Sequence, residues 1–522
     1  MKELIAAFED VLCVHDEPCG MWVARRQEMS QEDFRRNCAL LEDSGFVPET
    51  RDAADGRCFR AYRRGNDGAF LNYYPATGEI TAVFEENSPY FSFTDTPQNH
   101  NVLPQITQVH LEDFGMSYAI RLSDGRFIVI DGGRELIPDA DRLMACLQEG
   151  SPWEKPVIAG WIFTHPHPDH YYCFFPFLER YRENVEIQRI FLNFPEADAL
   201  EYYPKLVSPR SRELGVTANA HMLRLQQVLR DLDVPIYHPH TGQVYQIGDA
   251  VLEILASMDD TIGLSANINA SSLAIRMELG QQITLWATDA SFEAARLPER
   301  YGNYLKADIL QVPHHGFGIG SPVANITGYK LIAPQVCLLP VSDFNAFTAF
   351  CAFKACTQYL MTKCDVKEMI TGETTRTLTL PYTPDPQGAE QLRSQYLAGQ
   401  ENAGARTWVF AELNTAKAED FVFTVLNGTH VNAEISIELF FENGPKTIRF
   451  IQATVLPLRI QTICITDPID VQRDTAYYNP WSIDKNEIPA ASPFAVRFMS
   501  NIPVVISHKD HRDSYHTSNS CL

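Results

Sequence analysis

Apolar and polar positions fall into three successive textures along the chain. Residues 30–45 have a helical pattern, with Ser30 as N-cap, Glu32 and Asp33 in the first turn and Gly45 closing the last. Short strand-like runs follow at Arg57–Arg63 and Phe70–Tyr74, which predicts a small α+β module over residues 1–105 that packs against or covers a substrate site. From about residue 106, strand runs alternate with helical ones. Strands are predicted at Ile106–His110, Met116–Leu122, Arg126–Ile130, Val157–Phe163, Ile187–Phe191, Val251–Ala256, Ser272–Leu279 and Ile283–Ala287. Helices are predicted near Asp139–Gln148, His221–Arg230 and Phe292–Arg300, and this alternation specifies an α/β layered domain over 106–384. Residues 385–404 are polar and rich in Ala, Gln and Gly, as in a linker. Beyond them the pattern is all-β. Runs at Asp420–Leu426, Ala433–Phe441, Thr447–Val455, Ile460–Thr466 and Pro503–Ser507, with turn signals Asn427-Gly428 and Asn443-Gly444-Pro445, predict a β-sandwich over 405–522.

The densest chemistry follows the fully apolar run Val157–Phe163. The next seven residues read Thr-His-Pro-His-Pro-Asp-His and place His165, His167, Asp169 and His170 in one loop leaving a buried strand. Imidazole and carboxylate are the ligands that suit Zn²⁺, with Fe and Mn also compatible. The two prolines hold the residues before them extended. A polar surface loop is the bland alternative, but three of the chain's 15 histidines crowd beside an aspartate here, and the metal reading prevails. Three more segments end apolar strands with similar residues. Asp131 precedes Gly132 and Gly133; Asp289 follows Leu285-Trp286-Ala287-Thr288; His314 and His315 follow Asp308–Pro313.

With these motifs in place, residues 106–384 resemble the metallo-β-lactamase fold superfamily. The Ser271–Arg276 segment, Asp289 and the Val-Pro-His-His-Gly run look like the branch containing the hydrolase-like domain of DNA-uptake channel proteins and phosphorylcholine esterases. The resemblance implies an αββα sandwich with a binuclear metal site at one edge. It implies that His165 and His167 bind the first metal, Asp169 and His170 the second, and that Asp289 bridges them. His315 is favoured to complete the second metal and His314 to contact substrate, with Asp131 orienting a ligating histidine from outside. A third imidazole for the first metal is not evident. His221, His238 and His240 are the candidates, and each reads more readily as something else. Thr288 stands where the family usually has glycine, a side chain that would crowd the site. Asn267 and Asn269 read as turn residues, and Cys173 as a packed thiol.

The implied mechanism is metal-dependent hydrolysis, in which paired cations activate a water that Asp169 aims. A phosphoester or phosphodiester is the favoured substrate, with lactones, thioesters and β-lactams left open. The rival reading is a metal-binding ligand sensor with little turnover that signals through the β-sandwich. Residues 405–515 resemble the sensory-rhodopsin-transducer family through Thr407–Phe410, Asn427-Gly428, Ile488-Pro489 and Ser500–His508, ahead of the charged stretch Lys509–Asp513. That likeness implies a small sandwich that associates into homo-oligomers.

Composition narrows the partners. A formal net charge of −23 disfavours nonspecific nucleic-acid binding, which depends on Lys and Arg neutralising phosphates, and favours a small or neutral substrate. Acidic residues at the start, where a signal peptide needs a basic flank, and the lack of any apolar stretch of spanning length predict a cytoplasmic protein with no membrane segment. The 12 cysteines are scattered without a Cys-x-x-Cys pair, which suggests reduced thiols.

Overall fold

The computed structural model describes residues 12–16, 21–52, 58–112, 115–194, 209–260, 268–290, 296–316, 322–343, 346, 360, 364, 366–385, 407–427, 432–442, 449–456, 459–464, 491–502 and 504–508. The 385–404 linker beyond its first residue, Asn267, the Asn443-Gly444-Pro445 turn, Ile488-Pro489 and Lys509–Asp513 lie outside the described residues. The described residues up to 385 form one compact unit, and those from 407 to 508 form a second.

In the first unit, two mixed sheets pack face to face. One sheet runs Ile236–Tyr237, Ile190–Leu192, Val157–Phe163, Phe127–Asp131, Ser117–Arg121, Gln105–Gln108 and Arg376–Thr379, with Glu186–Ile187 paired beside Val157–Phe163. The other runs Val244–Ile247, Ala250–Ala256, Ala274–Leu279, Gln282–Trp286, Ile309–Gln311, Val336–Leu339 and Glu368–Thr371. Ile128, Ile130 and Ile162 from the first sheet share a buried core with Ile275, Trp286 and Ile309 from the second. The opposite face of the first sheet, with Val129, Trp161 and Phe163, is covered by Leu143 and Leu147 of the helix Ile137–Gly150 and by Phe174 and Phe177 of Phe174–Tyr181. The continuous apolar runs of these central strands arise because both of their faces are buried. Each large apolar side chain removed from water contributes about 1.5–3 kcal/mol. This layering agrees with the α/β expectation.

The N-terminal module belongs to the same unit. Its six strands form one antiparallel sheet in the order Leu12–Asp16, Met21–Arg26, Glu79–Glu85, Asp67–Tyr74, Cys58–Arg64, Val47–Asp52. Its helix Gln31–Asp43 begins with a reciprocal capping box between Ser30 and Asp33. The sheet is fastened to the layered domain by buried polar contacts. Arg300 pairs with Glu79 at 2.7 Å and Asp260 at 2.6 Å, and Asn72 Nδ2 donates to the Thr241 carbonyl at 2.8 Å. Gly242 makes this approach feasible: its φ is +95°, and an added Cβ would stand 2.3 Å from Phe59 and 2.6 Å from Asn72 Oδ1.

The second unit contains a four-stranded sheet (Thr407–Asn414, Pro493–Ser500, Ala433–Phe441, Arg449–Val455) and a three-stranded one (Arg459–Cys464, Val422–Asn427, Val505–His508). Phe410, Ile437, Val496 and Phe498 of the first sheet pack with Phe423, Ile463 and Ile506 of the second, as a β-sandwich requires. Among the described residues, no helix is long and apolar enough to cross a membrane.

Gly242→Ala should cost at least about 2 kcal/mol, since it combines overpacking with a left-handed backbone. Equilibrium denaturation checks this; an unchanged midpoint would mean that Gly242 does not set the close approach.

Candidate metal centre

Four chain segments converge where parallel strands end. Phe127–Asp131 and Val157–Phe163 run parallel in one sheet, and Gln282–Trp286 and Ile309–Gln311 run parallel in the other. Their carboxyl ends deliver Asp131, the His165–His170 loop, Asp289 and the His314–His315 pair to one edge. The loop is tied down by backbone bonds: Gly132 and Gly133 N–H both donate to the His170 carbonyl, at 2.7 and 2.8 Å, and Met116 N–H donates to Asp169 O at 3.0 Å.

Two overlapping groups of ligand atoms result, each with all its atoms within 4.8 Å of one another: His165, His170 and Asp289, and Asp169, His170 and His315. All five residues are buried. Asp289 stands at the middle. Its Oδ2 is 3.3 Å from His170 Nε2 and 3.7 Å from both His165 Nε2 and His314 Nε2, and its Oδ1 is 3.5 Å from His315 Nε2. Asp169 Oδ2 is 3.3 Å from His315 Nε2. His167 is half-buried, with its ring 4.7 Å from that of His165. His314, with its side chain 16% exposed, is the more open of the paired histidines; His315 is fully buried.

Asp131 lies behind the group. Its Oδ2 accepts from His170 Nδ1 and from the Thr164 hydroxyl, both at 2.7 Å, and its Oδ1 accepts the Thr164 N–H at 2.9 Å. The bond to Nδ1 leaves the His170 Nε2 lone pair facing the other ligands. Thr164 was not singled out from the sequence, although it directly precedes His165.

Electrostatics follow this geometry. Burial opposes charge on His170, yet Asp289 and Asp131 hold its pKa well above the ordinary imidazole value. Burial is likewise outweighed at His315 by Asp289 and Asp169, which raise it. In return, despite burial, His170, His315 and His314 hold Asp289 well below the usual carboxylate range, and His315 and His170 do the same to Asp169. Burial and the adjoining His170 push His165 down, and burial pushes His167 down to about 4. The site therefore sets the ionised Asp289 and Asp169 against His170 and His315, which hold a proton more readily than a free imidazole, with His165 and His167 less readily charged beside them.

The donor set fits divalent cations. The buried His165 Nε2 makes no hydrogen bond. The Nε2 atoms of His170 and His315 face each other at 3.2 Å, an arrangement that requires a shared proton or a cation. All donors are nitrogen or oxygen. Cys173 is buried, and burial pushes its thiol pKa well up, as for a packed residue.

None of the three candidate third imidazoles joins these groups. His221 stacks on Tyr172 at 3.9 Å and has Nε2 3.4 Å from Glu135. His238 Nδ1 lies 3.0 Å from Glu85, and His240 is buried between Asp259 at 2.9 Å and Glu85 at 3.4 Å. Each imidazole is drawn to a carboxylate elsewhere. Thr288, expected to crowd the centre, instead donates its hydroxyl to the Leu273 carbonyl at 2.6 Å. Its φ is +49°, a conformation that glycine adopts freely. Asp131, His314 and His315 share this left-handed conformation, with φ of +55°, +47° and +53°, at about 1–2 kcal/mol each. Asn269, read from the sequence as a turn residue, has Nδ2 3.0 Å from His314 Nε2 and so reaches the site as well.

Residues 111–250 match the family model of the metallo-beta-lactamase superfamily. No curated protein matches the chain. Among solved structures, the metallo-beta-lactamase fold protein YhfI from Bacillus subtilis is 13% identical, covers 52% of this chain and 98% of its own, and has a TM-score of 0.33. CmlA, a diiron beta-hydroxylase from Streptomyces venezuelae, is 13% identical over 67% of this chain and 84% of its own, with a TM-score of 0.31. The Anabaena sensory rhodopsin transducer is 20% identical over 20% of this chain and 81% of its own, with a TM-score of 0.16.

Every hydrogen bond to the Asp131 carboxylate comes from a donor, so Asp131→Asn sets an N–H against a donor. It should weaken Zn²⁺ binding about 10–100-fold with secondary structure intact. Competition with a chromophoric chelator measures this, and affinity within twofold of wild type would refute the orienting role of Asp131.

Proposed function

We propose that this chain, whose residues 111–250 form a metallo-beta-lactamase superfamily domain, is a hydrolase working with two divalent cations, Zn²⁺ foremost, on a phosphoester, phosphodiester or related small ester. The observation that carries this reading is the position of Asp289 among four imidazoles, with Asp169 Oδ2 3.3 Å from His315 Nε2 and 3.9 Å from His170 Nε2. His165 and His167 would hold one cation, Asp169, His170 and His315 the other, and Asp289 both. When bound, such a pair supplies an activated water and neutralises charge on the attacking and leaving oxygens.

The chain's own residues do the rest. Asp131 fixes the His170 ring through Nδ1. Asp169 is an acceptor able to take a proton from an attacking water and to orient it. His314, half-buried and bonded to Asn269, would touch a substrate oxygen while His315 stays buried. Burial of His165, Asp169, His170, Asp289 and His315 keeps bulk water from competing at the charged groups and strengthens their fields. The net charge of −23 favours small or neutral substrates over long polyanions. The β-sandwich is assigned to homo-oligomer contacts.

Metal-stripped protein should not cleave bis(p-nitrophenyl) phosphate, and added Zn²⁺ or Mn²⁺ should restore cleavage. Asp169→Asn should lower kcat at least about 100-fold. Bound metal without turnover across phosphoesters, lactones and thioesters would favour the sensor reading instead.

A further inference from the structure

A cavity of about 250 Å³ opens between the N-terminal sheet and the layered domain. This is just below the roughly 300–1,000 Å³ of drug-sized sites. Most of its wall is apolar: Phe194 beyond the strand Ile190–Leu192, and Met222, Leu225 and Leu229 on the helix Pro209–Leu232. Five polar residues interrupt that wall, namely Glu85, Asn193, Gln226, Arg230 and His238. None of them belongs to the ligand groups of the metal centre.

Glu85 is the anomaly. It is 3% exposed, and its Oε2 is buried without a hydrogen bond, the nearest partner being His240 Nε2 at 3.4 Å. Burial opposes its charge, but His240 and His238 hold its carboxyl well below the ordinary range, so it is an anion. A carboxylate kept ionised beside an apolar cavity costs several kcal/mol unless its lone pairs are used.

Asn193 also presents an acceptor to this wall, and Gln226 carries both an acceptor and donors. His238 Nδ1 lies 3.0 Å from Glu85 Oε1, and its Nε2 is the ring's remaining hydrogen-bonding atom. Asn193 Nδ2 donates to the Pro239 carbonyl at 3.0 Å and to Asp259 at 3.2 Å, which leaves its Oδ1. Arg230, also in the lining, lies on the exposed helix face and donates to Gln227 at 2.8 Å. An ionised carboxylate with an acceptor beside it, backed by a largely apolar chamber, calls for a ligand with an apolar body and a cationic donor head.

We propose that this cavity is a binding site, distinct from the metal centre, for a small apolar amine whose ammonium group is held by Glu85, His238 and Asn193. Isothermal titration of the full-length, metal-loaded protein with n-hexylammonium, n-hexanol and hexanoate tests this. One hexylammonium should bind per chain, and hexanol and hexanoate at least tenfold more weakly. Glu85→Gln should lower hexylammonium affinity at least tenfold, and Met222→Trp, which fills the chamber from the helix, should abolish binding, with metal content unchanged in both. His238→Ala, at a side chain 38% exposed, gives a second test of the polar wall should Glu85→Gln fail to fold. No binding of hexylammonium, equal binding of all three probes, or binding that survives Met222→Trp would overturn the proposal.

Discussion

A buried carboxylate organises the molecule's chemistry. Asp289 lies within 4 Å of His165, His170, His314 and His315, and these four histidines come from two loops far apart in sequence. An isolated charge at that depth would be strongly destabilising. It persists because the imidazoles around it provide compensating charge or hold a cation that does. Both sheets must therefore end at the same edge, with their parallel strands delivering one side of the cluster each.

The cost of this convergence is visible in the backbone. Asp131, Thr288, His314 and His315 all take left-handed conformations at the strand ends, where a sharp turn aims the side chain inward. The tightly packed core between the sheets and the bonds from Gly132 and Gly133 to the His170 carbonyl hold these turns in place. The N-terminal sheet adds a further polar layer through Arg300, Glu79, Asp260 and Asn72. There, His238 and His240 find carboxylate partners, which is why neither reaches the metal centre.

The layered architecture was legible in the sequence because its central strands are buried on both faces and read as unbroken apolar runs, as Val157–Phe163 does. The candidate-ligand types were legible because one loop concentrates them. Other features depend on tertiary distance. Asn269 reads locally as a turn residue, and its bond to His314 spans 45 positions. Thr288 reads as an obstruction because only the fold reveals that its hydroxyl turns to Leu273. His240 offers the right side chain for a ligand, and only the packing of the N-terminal sheet shows that Glu85 and Asp259 claim it.

Native mass spectrometry of the chain loaded with Zn²⁺ tests the central claim most directly. The account predicts two cations per wild-type chain and loss of both tight sites in Asp289→Ala, because one carboxylate serves both. A wild-type chain that takes up one cation or none, or an Asp289→Ala chain that still holds two, would contradict it.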